Sequence, residues 1–368
     1  MTRSYSLEQD WRFAMMRKIM PGNEKPPTDS IKDIYHLEDM LSSPTPELID
    51  AMSHLAGDVL VLGAGGKMGP TLCRMVRRAS DGARTERRVI GVSRFSNADE
   101  IKNLNLHGVE TIRGDLLDPK FVDSLPEAPN VIYMAGMKFG SSGNEAMTWA
   151  MNTYLPSLIC HRYRNSCICA FSTGNVYGLS PVNSGGSKET DVPNPIGEYA
   201  MSCLGRERIF EHFSQVNGTR VVLFRLNYAI DMRYGVLLDM ATKVWNEWPI
   251  DLGMGAVNVI WQADANAMAV RALVHASSPP VAINIAGPDV LHVRQVCERF
   301  GELFGKHVDF SGVEASDALL SNGEKAYRTL GVPCIGPDQM IRWVADWVQR
   351  GGPTHGKPTH FEVRNGNY

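Results

Sequence analysis

The stretch VLGAGGKMG, residues 61–69, constrains the fold more than any other part of the chain. It sets Gly63, Gly65, Gly66 and Gly69 between a run of apolar, β-branched residues and the helically spaced segment MGPTLCRMVRRA. Glycines suit such a junction because the backbone must turn tightly and bring its amides close to a diphosphate, which then rests on the positive end of the helix. An apolar strand before the turn and a helix after it raise a weak pattern to a specific one, and they predict a dinucleotide site with Lys67 and Met68 in its loop.

The same rhythm continues beyond the loop. Short β-branched runs at 58–63, 88–94, 109–115, 130–136, 167–173 and 219–227 alternate with helical segments. Six strands with crossover helices predict an α/β protein with a Rossmann-type doubly wound parallel sheet over residues 57–230. Before it lies a leader, 1–56, with PGNEKPPTDS as a loop and a short helix from Pro46 to Gly57 that would cover one edge of the sheet. After it the pattern loosens into a smaller C-terminal substrate lobe, 231–350, interleaved with the main sheet and holding VAINIAG. A tail at 351–368 without periodicity should lie on the body as a loop.

Charge and cysteine usage narrow the function classes. With 37 basic and 40 acidic side chains among 368 residues, nothing draws the chain broadly to nucleic acid or anionic lipid. The arginines Arg74, Arg77, Arg78, Arg84, Arg87 and Arg88 read as a solvated helix face. Seven cysteines, an odd number without a paired framework, suit a reducing compartment, and the group Cys160, His161, Cys167 and Cys169 lacks zinc spacing, so no metal is expected. No run reaches the roughly 20 apolar residues of a membrane span, and the N-terminus does not read as a secretory signal, which makes the cytoplasm the expected address.

The end of the second strand bears on which dinucleotide is bound. An acid there would hold a ribose 2′-hydroxyl; this chain has Ser93 and Arg94, which points to NADP, with NAD as the alternative. At the third strand's end, Asp115 and Leu116 are placed to meet the adenine, although Asp115 equally suits a cap on the next helix.

Three stretches together carry a family resemblance. GAGGKMG, STGNVYG at 172–178 and EYAMS at 198–202 resemble the extended short-chain dehydrogenase/reductase family, the NAD(P)-dependent sugar epimerases and dehydratases, from about Asp58 to Trp347. YMAGMKFG is similar to the Ala-Gly-x-Lys stretch of UDP-galactose 4-epimerase. The resemblance therefore implies that Met134, Ala135, Gly136 and Lys138 line the nicotinamide, with Asn152 near it and Asp264 at a usually acidic position. It also implies that Thr173 holds a substrate hydroxyl or carbonyl and that Tyr199 exchanges a proton as hydride moves. A carbohydrate-like substrate and a homodimer are further implications.

The chain departs from the family at the position four residues after Tyr199, where Cys203 replaces the usual lysine. On a helix those positions share a face, so an ammonium there would favour phenolate; a free tyrosine, with a pKa of about 10, is a poor base. Three readings are open: a cation supplied by Lys138, Arg206 or Arg208, a cofactor-binding sensor with weakened chemistry, or a reactive Cys203. The sixth strand departs too, since RLNYAI has Tyr228 where relatives place asparagine. Trp245 and Trp248 suit a core stripe as well as a sugar platform, and Arg225, Arg233, His292 and Arg294 suit local pairing as well as an anionic substrate.

Overall fold

In the computed structural model, residues 30–138, 140 and 143–366 are described. The loop read at 21–30 lies almost entirely outside them. All six predicted strands form: β1 (Val59–Leu62), β2 (Val89–Ser93), β3 (Glu110–Arg113), β4 (Asn130–Tyr133), β5 (Cys167–Thr173) and β6 (Arg220–Leu226). A seventh, β7 (Val281–Ile285), comes from the VAINIAG stretch and pairs in parallel with β6, completing a sheet of order β7-β6-β5-β4-β1-β2-β3. Every pairing in it is parallel. The order reverses between β1 and β4, and at such a switch point the carboxyl ends of the strands open a crevice.

Strand periodicity divides the core. Val59 and Val61 face one way with Ile132, Cys169, Val222 and Phe224, while Leu60 and Leu62 face the other with Val131, Tyr133, Ile168 and Leu223. Both faces are buried, as a doubly wound sheet requires, so these strands read as continuous apolar runs.

The leader differs from its predicted place. Its two described helices, α1 (Ile34–Leu41) and α2 (Pro46–His54), bury Leu37, Leu41, Leu48 and Met52 in the main core and pack against α3 (Gly69–Gly82) and the later helix Gln262–Ala272, rather than against a strand at the sheet's edge. The arginine run, read as a solvated face, supplies the clamps. Arg74 pairs with Glu38 at 2.7 Å, Arg78 with Asp39 at 2.8 Å, and Arg87 donates to the Met52 and Leu55 carbonyls at 2.7 and 2.6 Å. The α2 carbonyls need donors at the helix C-terminus, and a guanidinium supplies them in a fork.

Candidate active site

The glycine loop sits at the crevice. Gly63 has φ +93°, and a Cβ there would lie 2.8 Å from the Ala135 nitrogen, so the ends of β1 and β4 touch. Gly69 is held as tightly: its Cβ would fall 2.4 Å from the Ala64 carbonyl oxygen. Helix α3 starts at Gly69 with Met68 at its N-cap, no side-chain capping bond and no acid in the first turn. An uncapped helix start without negative charge fits a diphosphate.

Around the loop, the predicted residues separate. Ser93 packs against Gly65, and Arg94 is exposed beside it. Lys67 turns away from that pair. Its amine crosses the crevice to the Ala229 carbonyl at 3.0 Å and lies 4.5 Å from the Tyr234 ring centre, and burial lowers its pKa to about 8. Asp115 is exposed and accepts from the Leu117 amide at 3.0 Å; the cap of the next helix is Asp118, not Asp115. Leu116 is buried in the second face of the core.

A cleft of about 170 Å³ opens next to the loop. Lys67, Lys138, Thr173, Tyr199, Tyr228 and Thr359 contribute to its walls, and among the described residues no carboxylate lines it. Tyr199 stands in the first turn of α4 (Gly197–Asn217), and its phenol hydrogen-bonds Thr173 and Cys203. Thr173 Oγ1 already accepts from the Asn175 amide at 3.2 Å and side chain at 2.9 Å, which leaves its own proton to point at the phenol or a ligand. Burial pushes the Tyr199 phenol well above its ordinary pKa, while Arg206 and the Thr173 hydroxyl pull the other way. Lys138 Nζ lies 5.8 Å from the Tyr199 ring centre, with its pKa lowered by burial to about 8.

Beneath this wall lies a buried cation. Arg206, two turns from Tyr199, donates to the Phe171 carbonyl at 2.7 Å and to Asn152 Oδ1 at 2.6 Å. Those acceptors are uncharged, so its positive charge is felt by Tyr199 and Cys203 above it. Arg208 instead pairs with Glu211 on the exposed face. Asn152 is fully buried in a π-helical turn, Ala150–Tyr154, and does not face the cleft. It brackets the loop after β4 by accepting from the Met137 amide at 2.8 Å and donating to its carbonyl at 2.9 Å. Met134 and Lys138 are half-buried and Gly136 is exposed at the same strand end, where a Cβ on Gly136 would strike Arg206.

Cys203 is enclosed by Val176, Tyr177, Tyr199 and Leu204, and burial raises its thiol pKa. The thiolate a nucleophile needs is thereby disfavoured. The other candidate anion ligands are engaged: Arg225 with Glu207 at 2.7 Å, Arg233 with Glu38 at 2.5 Å, Arg294 with Glu314 at 2.8 Å. Trp245 packs edge-on against Phe304, whereas Trp248 is exposed, so a shared core stripe does not form. Asp264 is buried and accepts from the Ile335 amide at 3.1 Å.

Sequence reasoning missed Tyr234 and Thr359, which no motif marks. Tyr228 signalled itself only as a departure, and it adopts φ +40°, a strained conformation for a bulky side chain.

Comparison with known proteins places this geometry. Residues 59–230 match the model of the NAD dependent epimerase/dehydratase family. No curated protein matches the chain in sequence. Among solved structures, MoeE5 in complex with UDP-glucuronic acid and NAD aligns with TM-score 0.66 at 20% identity, over 80% of this chain and 100% of that one. UDP-glucuronic acid 4-epimerase from Bacillus cereus in complex with NAD aligns with TM-score 0.66 at 18% identity, over 80% and 99%. DesIV, a dTDP-glucose 4,6-dehydratase from Streptomyces venezuelae with NAD and TYD bound, gives 0.67 at 16%, over 80% and 97%. At these identities the likeness is one of fold, and the sequence likeness is confined to residues 59–230, which are similar to the NAD dependent epimerase/dehydratase family.

Proposed function

We propose that the protein binds a nicotinamide dinucleotide and acts by hydride transfer on a carbohydrate-like alcohol or ketone, as an epimerase or oxidoreductase, with Tyr199 as acid/base and Thr173 orienting the substrate oxygen. The observation that carries this is the hydrogen-bonded pair Tyr199–Thr173 in the wall of the cleft that opens beside the glycine loop. The uncapped start of α3 supports diphosphate binding, and the bound nicotinamide would accept or return hydride.

The chain's own residues manage the proton. Because burial holds Tyr199 protonated at neutral pH, it is ready to donate to a carbonyl oxygen. In the oxidising direction it must become phenolate, and two cations favour that: the Lys138 ammonium beside the ring and the Arg206 guanidinium beneath it. Together they take the place of the lysine that the family has where Cys203 stands. Asn152 acts one step removed, holding both Arg206 and the loop that presents Lys138.

Ser93 and the exposed Arg94, with no acid at the end of β2, favour NADP. NAD is the second reading, favoured by the NAD in the structures of similar fold. Titration with both dinucleotides, followed by a redox screen of sugars and uronates, tests the proposal. Tyr199→Phe should keep dinucleotide affinity and lower turnover by about 10²–10⁴-fold. Full activity in that variant would reject the assignment, and binding without any turnover would leave a cofactor-binding sensor.

A further inference from the structure

The cleft wall made by residues 226–236 holds a positive charge that hydride transfer does not use. Leu226, Asn227, Tyr228, Ala229, Tyr234 and Val236 line the cleft from this side, and Lys67 reaches them from the glycine loop. Its amine donates to the Ala229 carbonyl at 3.0 Å and stands 4.5 Å from the centre of the Tyr234 ring. A carbonyl dipole and an aromatic face hold an ammonium in place without cancelling its charge. Ala229 is its hydrogen-bond acceptor among the described residues, which leaves the other N–H donors of the ammonium to a ligand.

The acids nearby are engaged elsewhere. Asp231, whose charge reaches Lys67, is buried and accepts the Arg233 amide at 2.6 Å, the Tyr234 amide at 3.1 Å and the Arg233 guanidinium at 3.1 Å. Asp239, whose charge reaches Lys138, does not line the cleft; Thr359, which does, gives it an amide and a hydroxyl at 2.7 and 2.5 Å. Two further charges felt at Lys67, those of Lys138 and Arg233, are positive. A half-buried ammonium among like charges destabilises the fold unless an anion joins it, and a methionine would fill the space without that cost. Such groups concentrate where a ligand offsets them. The dinucleotide's diphosphate has its own place at the uncapped start of α3, whereas the Lys67 amine lies across the crevice against Ala229 and Tyr234.

We propose that Lys67 binds an anionic group of the substrate, a carboxylate or a phosphate, while Thr173 and Tyr199 hold the reacting hydroxyl, so that the protein acts on acidic sugars. This deepens the hydride-transfer reading of Tyr199 and rests on it.

The test uses the full chain saturated with its dinucleotide and ligand-observed NMR titrations of matched pairs: glucose with glucuronate and with glucose 6-phosphate, galactose with galacturonate, glucitol with gluconate, and UDP-glucose with UDP-glucuronate. In at least one pair the more acidic member should bind about 10-fold tighter, the worth of one hydrogen bond to a charged group, and the carboxylate and phosphate pairs tell the two anions apart. Lys67→Arg should keep most of that preference, and Lys67→Met should abolish it without weakening the neutral member. No preference in any pair, or one that survives Lys67→Met, overturns the proposal. Where a Lys67 variant fails to fold, an uncharged amide or ester of the preferred acid replaces it, and binding as tight as that of the acid is equally fatal. If Lys67→Met weakens dinucleotide binding and leaves the acid preference intact, the amine serves the cofactor and the proposal falls. A neutral sugar turned over in a Tyr199-dependent way, with no preference for acids, would sink the proposal and leave the hydride-transfer reading standing. Failure to bind either dinucleotide would remove both.

Discussion

One turn along α4 from Tyr199, the Cys203 side chain fills a fully buried space among Val176, Tyr177 and Leu204, with the Arg206 guanidinium nearby. A small neutral group suits that space; an ammonium would be buried beside a like charge. Cys203→Ala should therefore cost about 1 kcal/mol of stability and leave turnover within about 5-fold, whereas Cys203→Lys should cost more than about 3 kcal/mol. Urea denaturation with a parallel activity assay distinguishes them, and a Cys203→Lys protein with gained activity would contradict the assignment of the cation to Lys138 and Arg206. The two cleft lysines give the site a pH dependence. Burial depresses both folded pKa values from 10.5 to about 8, so each is charged below that pH and neutral above it, while the unfolded chain keeps its protons to about 10.5. Between pH 8 and 10.5 the unfolded state thus binds more protons, and their contribution to stability rises with pH. Anion binding runs the opposite way: dinucleotide affinity should weaken as pH rises through about 8, and Lys67→Met should flatten that dependence in a fluorescence titration. A wild-type affinity constant from pH 7 to 9 would show that the Lys67 charge does not contribute to dinucleotide binding.

Helices α1 and α2 illustrate what an element's own sequence shows and what it hides. Pro46 at the start and the Thr45 side chain accepting from the Leu48 amide at 3.2 Å make α2 legible from its first residues. Where the two helices pack was not legible, because α1 is held by the α3 arginines Arg74 and Arg78, and the end of α2 by Arg87 of the loop after α3. An arginine run reads alike whether it faces water or carbonyls and carboxylates from an earlier segment. Glu38 is the most connected of these acids, receiving Arg74 at 2.7 Å and Arg233 at 2.5 Å with a side chain 18% exposed. Glu38→Ala leaves two largely buried guanidiniums without it and should cost roughly 3 kcal/mol, read as a lower urea midpoint at unchanged slope. A loss below about 0.5 kcal/mol would return these pairs to the class of weak surface bridges.

Across the whole molecule, the smaller lobe is joined to the sheet through polar and apolar seams. Asn258 accepts from Asn227 at 2.8 Å and donates to the Ser321 carbonyl at 2.7 Å, and Thr71 in α3 receives Gln262 and Asn266 at 3.1 and 3.2 Å. Segment 353–366 adds Phe361 to the same core, and Phe361→Ala should cost about 3–5 kcal/mol, as for other large buried side chains, lowering the thermal midpoint. An unchanged midpoint would show that this segment is not docked in solution. The sequence by itself determined the alternation of strands and helices, the glycine turn and the spacing of Thr173, Tyr199 and Cys203, because those depend on local periodicity and on backbone conformations that few residues allow. It also pointed to Lys138 and Arg206 without choosing between them. Only the tertiary structure decided that Arg206 lies beneath Tyr199 while Arg208 faces solvent, that β7 joins the main sheet, and that Tyr234 and Thr359 wall the cleft. Those outcomes are contacts between residues far apart in the chain, and no local pattern encodes which distant group will fill a given space.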